Sequence, residues 1–240
     1  MTLLLSADNH NFAFYSKMME GWRSGQLDSP LDKLLSQALL SMIKEKLGSS
    51  TCQKIESRLQ ERHRMSLAES IKEFNVLDAT LREIFGDGAD GIEADFLDRI
   101  MSLTKPQGSV CNKSSSWIEI KHSGLVDIIL GSYGDKDKRQ ILDAVAGQPR
   151  TISMILSACT IPKSSGYRII NEILQNGLLF EEGISRTSDG KKVSSYGALF
   201  QRVKIDIKSK DSTNLQGLVK ETVLLRSNIL RIACGGTYLS

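Results

Sequence analysis

Residues 162–192, PKSSGYRIINEILQNGLLFEEGISRTSDGKK, decide how the chain reads. Pro162 opens a helix predicted over Lys163–Gln175, and Asn176-Gly177 supplies a stop that tolerates the left-handed conformation. Ile169, Ile170, Ile173 and Leu174 form the inward stripe of this helix. Ser164, Arg168, Asn171 and Gln175, spaced four, three and four apart, form a polar stripe on another face, with Tyr167 beside it. Two short runs, Leu178–Ser185 and Lys191–Ser195, then flank Ser188-Asp189-Gly190, a glycine-containing turn of the hairpin kind. Upstream, Asp135–Ala146 places Ile141, Leu142, Val145 and Ala146 on one face and stops at Gly147-Gln148-Pro149. Thr151–Cys159 follows as a short helix with Ile152, Ile155 and Leu156 inward.

Three short helices and a hairpin form the winged variant of the helix-turn-helix. A helix that enters the DNA major groove needs long hydrogen-bonding side chains and few carboxylates on its outer face. Arginine can read guanine, Asn and Gln can read adenine, and Ser or Tyr can hold phosphates. Glu172 is the only acid on this helix. The hairpin tip adds Arg186, Lys191 and Lys192, cations suited to the phosphate backbone or minor groove. The expected DNA-binding residues are therefore Lys163, Ser164, Ser165, Tyr167, Arg168, Asn171 and Gln175 on the helix, and Arg186, Lys191 and Lys192 on the wing. The plain alternative is a solvated face of a core helix followed by a solvated turn.

Outward from this segment, the chain divides into five parts. Residues 1–28 read as a loosely ordered tail, with one short helix over Phe12–Trp22. Residues 29–103 read as an all-helical output or interaction domain. There Ser29-Pro30 starts a helix whose apolar face runs through Leu31, Leu34, Leu35, Ala38, Leu39, Met42, Ile43 and Leu47 before Gly48 stops it. Ser49-Ser50-Thr51 starts a second helix to about Arg64, and shorter ones are expected over Ser66–Phe74, Val76–Phe85 and Ala89–Leu103. Residues 104–134 read as a linker, most clearly TKPQGSVCNKSSS at 104–116, although Trp117–Lys121 alternates like a strand and Gly124–Gly131 is apolar. Residues 135–210 form the winged-helix domain and include the alternating strand Val203, Ile205, Ile207. Residues 211–240 read as a C-terminal helix. Leu215, Leu218, Thr222, Leu225, Ile229 and Ile232, broadened by Val219, Val223 and Leu230, outline a coiled-coil-like seam for a homodimer; packing back on its own chain is the alternative. The expected fold class is mainly α with a small β-hairpin or sheet.

Composition narrows the function classes. The 240 residues carry 40% apolar and 25% charged residues, and the longest uncharged runs fall far short of the roughly 18–20 apolar residues of a membrane helix. No signal peptide is recognisable, and Cys52, Cys111, Cys159 and Cys234 match no metal or redox spacing, so a cytoplasmic protein with reduced thiols is expected. The net charge of +3 is uneven: residues 1–110 hold 13 Lys/Arg against 16 Asp/Glu, and residues 111–240 hold 18 against 12. A basic C-terminal half fits a polyanion partner. Gly86–Gly91 matches G-x-G-x-x-G, but it follows a helix, and Asp87 and Asp90 would repel a pyrophosphate. Asn112-Lys-Ser is a formal glycosylation sequon without meaning in the cytoplasm. His10, His63 and His122 are too scattered for a metal site or a dyad, and no nucleophile–base or carboxylate pair stands out. An enzyme is not expected, and neither is a cofactor.

Three segments within residues 135–208 carry a resemblance: T-I-S-x-I-L from Thr151, I-P-K-S-S-x-Y-R from Ile161, and N-G-L-L-x-E-E-G from Asn176 with D-G-K-K from Asp189. This third of the chain resembles archaeal winged-helix regulators of the ArsR-like group. The resemblance implies transcriptional regulation through double-stranded DNA, usually as a dimer. The paired helical cysteines of the metal-sensing members are missing. Residues 31–103, through I-x-E-K-L-G from Ile43 and F-x-V-L-x-x-x-L-R-E-I-F-G-D-G-A-D-x-I-E from Phe74, are similar to a small helical output domain of ammonia-oxidising archaea. That similarity implies a module joined to sensory or DNA-binding units and says nothing of a ligand; the partner expected for residues 29–103 is another protein or a small signal. A competing expectation is a protein-interaction adaptor that reuses the winged helix.

Overall fold

Ser29 and Pro30 start the first helix as their chemistry dictates. The Ser29 hydroxyl accepts the Asp32 amide at 3.4 Å, and Pro30 occupies the first turn, where its missing N–H costs nothing. In this computed structural model, which describes residues 29–104, 115–186, 189–209 and 212–233, helix α1 spans Pro30–His63. Gly48, at φ +73° and ψ 166°, breaks it into two helical runs. The first run buries Leu31, Leu34, Leu35, Ala38, Leu39, Met42 and Ile43; the second buries Cys52, Ile55 and Leu59. Helix α2 (Leu67–Lys72) begins at a capping box, in which Ser66 and Glu69 exchange side-chain and backbone hydrogen bonds. These bonds hold the exposed Glu69 carboxyl below its usual range. Helices α3 (Phe74–Phe85) and α4 (Gly88–Ile100) complete the helical group against α1. The tail, residues 1–28, lies outside the described residues.

Beyond Ile100 the chain departs from the sequence reading. The helix expected to reach Leu103 ends at Ile100, and Met101–Thr104 forms strand β1. The expected linker, 104–134, contains strand β2 (Ser115–Ile120) and helix α5 (Ser123–Gly134), which buries Leu125, Val126 and Ile129. Residues 105–114 lie outside the described part. Strands β5 (Phe200–Ser209) and β6 (Ser212–Lys220) join β1 and β2 in an antiparallel sheet of order β1-β2-β6-β5. In register, Met101 faces Ile120, and Ile120 faces Leu215. That row is buried against the core, along with Ile118 and Val219.

The C-terminal segment corrects a second expectation. Residues 211–240 do not form one dimerisation helix: β6 is followed by two short helices, α9 (Glu221–Leu225) and α10 (Asn228–Ala233). Leu215, Val219, Val223, Ile229 and Leu230 are buried within the chain, so this apolar set is not a free seam. Helix α10 packs on α3 and α4, and α9 contacts α1. A polar latch pins the junction. The Ser227 hydroxyl and the Asn228 amide, the latter at 2.8 Å, donate to the Asp32 carboxylate, and Ser227 Oγ accepts the Leu230 amide at 3.1 Å. Burial outweighs these hydrogen bonds and pushes the Asp32 carboxyl up to about 6. The helices of residues 29–103 thus share one core with the C-terminal segment.

Mainly helical content with small antiparallel sheets is the fold class observed. The remaining elements are helices α6 (Lys136–Ala146), α7 (Ile152–Ala158) and α8 (Lys163–Gln175), then strands β3 (Leu179–Arg186) and β4 (Lys192–Ala198), paired as a hairpin.

Candidate nucleic-acid interface

Helices α6, α7 and α8 hold each other through the residues that the periodicity turns inward. Ile141, Leu142 and Val145 come from α6, Ile155 and Leu156 from α7, and Ile169, Ile170 and Ile173 from α8; all are buried. Asp135 caps α6 through its Oδ1, which accepts the amides of Asp137 and Lys138 at 3.0 and 2.9 Å. Thr151 caps α7 by accepting the Met154 amide at 3.3 Å. Helix α8 lies close on α7 at Gly166. A Cβ there would stand 2.3 Å from Leu156 Cδ2, so only glycine fits without displacing that side chain.

This packing leaves one face of α8 in solvent. Lys163, Ser164, Tyr167, Arg168, Asn171 and Gln175 are exposed, and Ser165 is half-buried at the turn. The Arg168 side chain is 75% exposed, and its Nη1 stands 3.9 Å from Glu172 Oε2, an i,i+4 pair. The other Glu172 oxygen accepts from Lys138 Nζ on α6.

The hairpin follows without a gap. Gly177, at φ +76°, ends α8 in a Schellman arrangement: the Leu178 amide donates to Ile173 O at 3.1 Å and the Gly177 amide to Leu174 O at 3.2 Å. The Leu199 amide, bonded to Leu178 O at 2.9 Å, closes the hairpin base. The loop between α6 and α7 adds a partial third strand, since Arg150 and Tyr196 exchange both backbone hydrogen bonds, at 2.9 and 2.8 Å. At the far end Arg186 and Lys192 face each other in register, and both are exposed, as is Lys191. Residues 187–188 of the tip lie outside the described residues.

Nine of the ten expected site residues are exposed, on the outer face of α8 or at the free end of β3–β4, and Ser165, within the first turn of α8, is half-buried. Three residues that the sequence reading did not single out border these features: Lys138 on α6, which bonds Glu172; Ile184, 67% exposed on β3; and Met154, 52% exposed on α7. Among the described residues, no group of His, Cys, Asp or Glu is arranged to hold a metal ion, and no helix is long and apolar enough to cross a membrane. The buried Cys52 and half-buried Cys159 are free thiols, and burial raises both above the usual range. Comparison with known protein families, curated proteins and solved structures finds no match to this chain.

Proposed function

We propose that this protein is a DNA-binding transcriptional regulator, cytoplasmic and of the archaeal ArsR-like winged-helix kind. In this reading α8 lies in the major groove and the β3–β4 hairpin is the wing on the phosphate backbone. The order helix, bridged strand, helix, helix, hairpin supports the winged-helix assignment. The observation that carries it furthest is the exposed stripe of α8, where Ser164, Tyr167, Arg168, Asn171 and Gln175 face solvent and the single carboxylate is held by a lysine of another helix. The helices of residues 29–103 are then the part that receives a protein or small signal. Since the C-terminal seam is occupied within the chain, pairing on two half-sites needs a dimer interface elsewhere on the surface. Gel retardation with mixed genomic fragments across a salt series tests the reading; no retardation even at low salt rejects it.

Two variants sharpen the test. Arg168→Ala is expected to weaken specific binding by about 1–3 kcal/mol with the fold intact, because the side chain is 75% exposed. Equal losses on specific and random duplexes would make it a phosphate contact only. The double variant Lys191→Ala, Lys192→Ala is expected to weaken binding on every sequence. It should also lower the slope of log affinity against log salt by about two counterions' worth. An unchanged slope removes the wing from the interface.

One observation favours the adaptor reading. Ile184 is a large apolar side chain left 67% exposed on the wing strand, as protein-docking surfaces often show. Ile184→Ser separates the two: an adaptor loses a protein partner, whereas a regulator keeps its salt-dependent DNA binding.

A further inference from the structure

We infer that Lys138 is a positioning residue for the DNA-reading face. It engages the one carboxylate of α8, Glu172, and so keeps that acid from tying up Arg168 and from repelling a phosphate backbone. The inference rests on α8 being the helix that meets DNA.

Helix α8 carries three charged residues, Lys163, Arg168 and Glu172. Glu172 follows Arg168 by four residues, the spacing at which an acid and a base on one helix normally pair. Such a pair would withdraw the guanidinium from bases and set a negative charge beside the groove. The carboxylate is shared unequally, with Lys138 as its closer partner and Arg168 at the outer limit of an ion pair. Glu172 Oε1 accepts from the Lys138 ammonium, while Arg168 Nη1 stands 3.9 Å from Oε2, beyond hydrogen-bond reach. The exposures fall in the same order: the Lys138 side chain is 20% exposed, Glu172 41% and Arg168 75%. The sheltered ammonium therefore holds the carboxylate on the α6 side, and the arginine reaches outward.

Both partners are fixed by their own helices. The Asp135 cap binds the Lys138 amide, and Ile141, Leu142 and Val145 seat α6 in the core. Ile169 and Ile173, which flank Glu172 on the buried face, seat α8. The contact thus links helices α6 and α8, both seated in the core. Without Lys138, the Glu172 carboxylate has Arg168 as its neighbouring cation on α8.

The experiment compares wild type, Lys138→Met, Glu172→Gln, the double variant and Lys138→Arg, using gel retardation on mixed genomic fragments and on a random-sequence duplex. Lys138→Met is expected to lose about tenfold in affinity, as an uncompensated carboxylate next to phosphates implies. Glu172→Gln should bind at least as well as wild type, and adding it to Lys138→Met should restore binding to within about twofold of Glu172→Gln alone. Lys138→Arg should keep most of the affinity. A double variant as weak as Lys138→Met would show that Lys138 meets phosphate itself and would overturn the inference, as would a Lys138→Met variant that binds like wild type. Circular dichroism checks that each variant is folded. Lys138→Gln replaces Lys138→Met in the same comparison if the apolar side chain impairs folding. A wild-type protein that never retards DNA rejects the DNA reading itself, a result distinct from unchanged binding by the lysine variants.

Discussion

Gly177→Ala is expected to destabilise the protein by about 3–5 kcal/mol, a loss of the size produced by strain in a special backbone conformation combined with a backbone clash. Gly177 adopts φ +76°, which costs an alanine about 1 kcal/mol by itself. The larger part is steric. A Cβ at this position would lie 2.7 Å from Pro30 O and 2.9 Å from Leu34 N, both backbone atoms of the first turns of α1. A helix backbone cannot swing aside as a side chain can. The neighbouring contact from the Gln37 amide to Asn176 O, at 3.2 Å, would be lost as the two segments part. The same glycine closes α8 and leads into β3, so the strain falls at the junction of the helix and the hairpin. Urea unfolding measures it: a loss of no more than about 1 kcal/mol would mean that α1 yields freely and that only the dihedral matters.

Glu93→Gln is expected to flatten the dependence of stability on pH. Glu93 on α4 is 1% exposed, and neither carboxylate oxygen has a hydrogen-bond partner among the described residues. Burial, reinforced by the charges of Asp78 and Asp90, pushes its carboxyl up to about 8. The folded chain therefore keeps a proton that the unfolded chain releases near its usual value of 4.5. Folding takes up that proton between these limits, so the stability that Glu93 contributes is fully present below about pH 4.5 and is lost as pH rises toward 8. Over the window from about pH 5 to 8 the fall amounts to about 3–4 kcal/mol. Asp32, raised to about 6, contributes in the same direction but only in the acidic part of the range. The glutamine variant should show the Asp32 decline below about pH 6 and little further change up to pH 8. Urea unfolding at pH 5, 6.5 and 8 decides it, and parallel curves for wild type and variant would show that Glu93 ionises normally.

Local chemistry determined much of what surrounds the candidate interface. The helix at Lys163–Gln175 follows from Pro162 before it, isoleucines at helical spacing within it and Gly177 after it, all within sixteen residues. The hairpin follows from a short glycine-containing turn between two β-prone runs, and the Gly48 break from a residue that takes φ +73° readily. The same periodicity that turns Ile169, Ile170 and Ile173 inward leaves Arg168, Asn171 and Gln175 outside, so the exposed face of α8 was legible before any fold was known.

Tertiary structure decided what local pattern leaves ambiguous. In LQGLVK, from Leu215 to Lys220, a spacing of three or four can be read through Leu215, Leu218 and Val219. A spacing of two runs equally well through Leu215, Gly217 and Val219. Pairing with β2 and β5 selects the second, because each strand supplies backbone partners that an isolated helix of this length could not replace with packing. Met101–Thr104 becomes a strand for the same reason, since Ser115–Ile120 lies alongside it. The Lys138–Glu172 contact spans 34 residues and the Asp32–Ser227 latch 195, separations across which composition and periodicity carry no information. The sequence by itself therefore determined the elements whose signals lie within a few turns, including the exposed polar face of α8. Only the fold decided which apolar residues remain for a partner, because burial is a property of what the rest of the chain places against them.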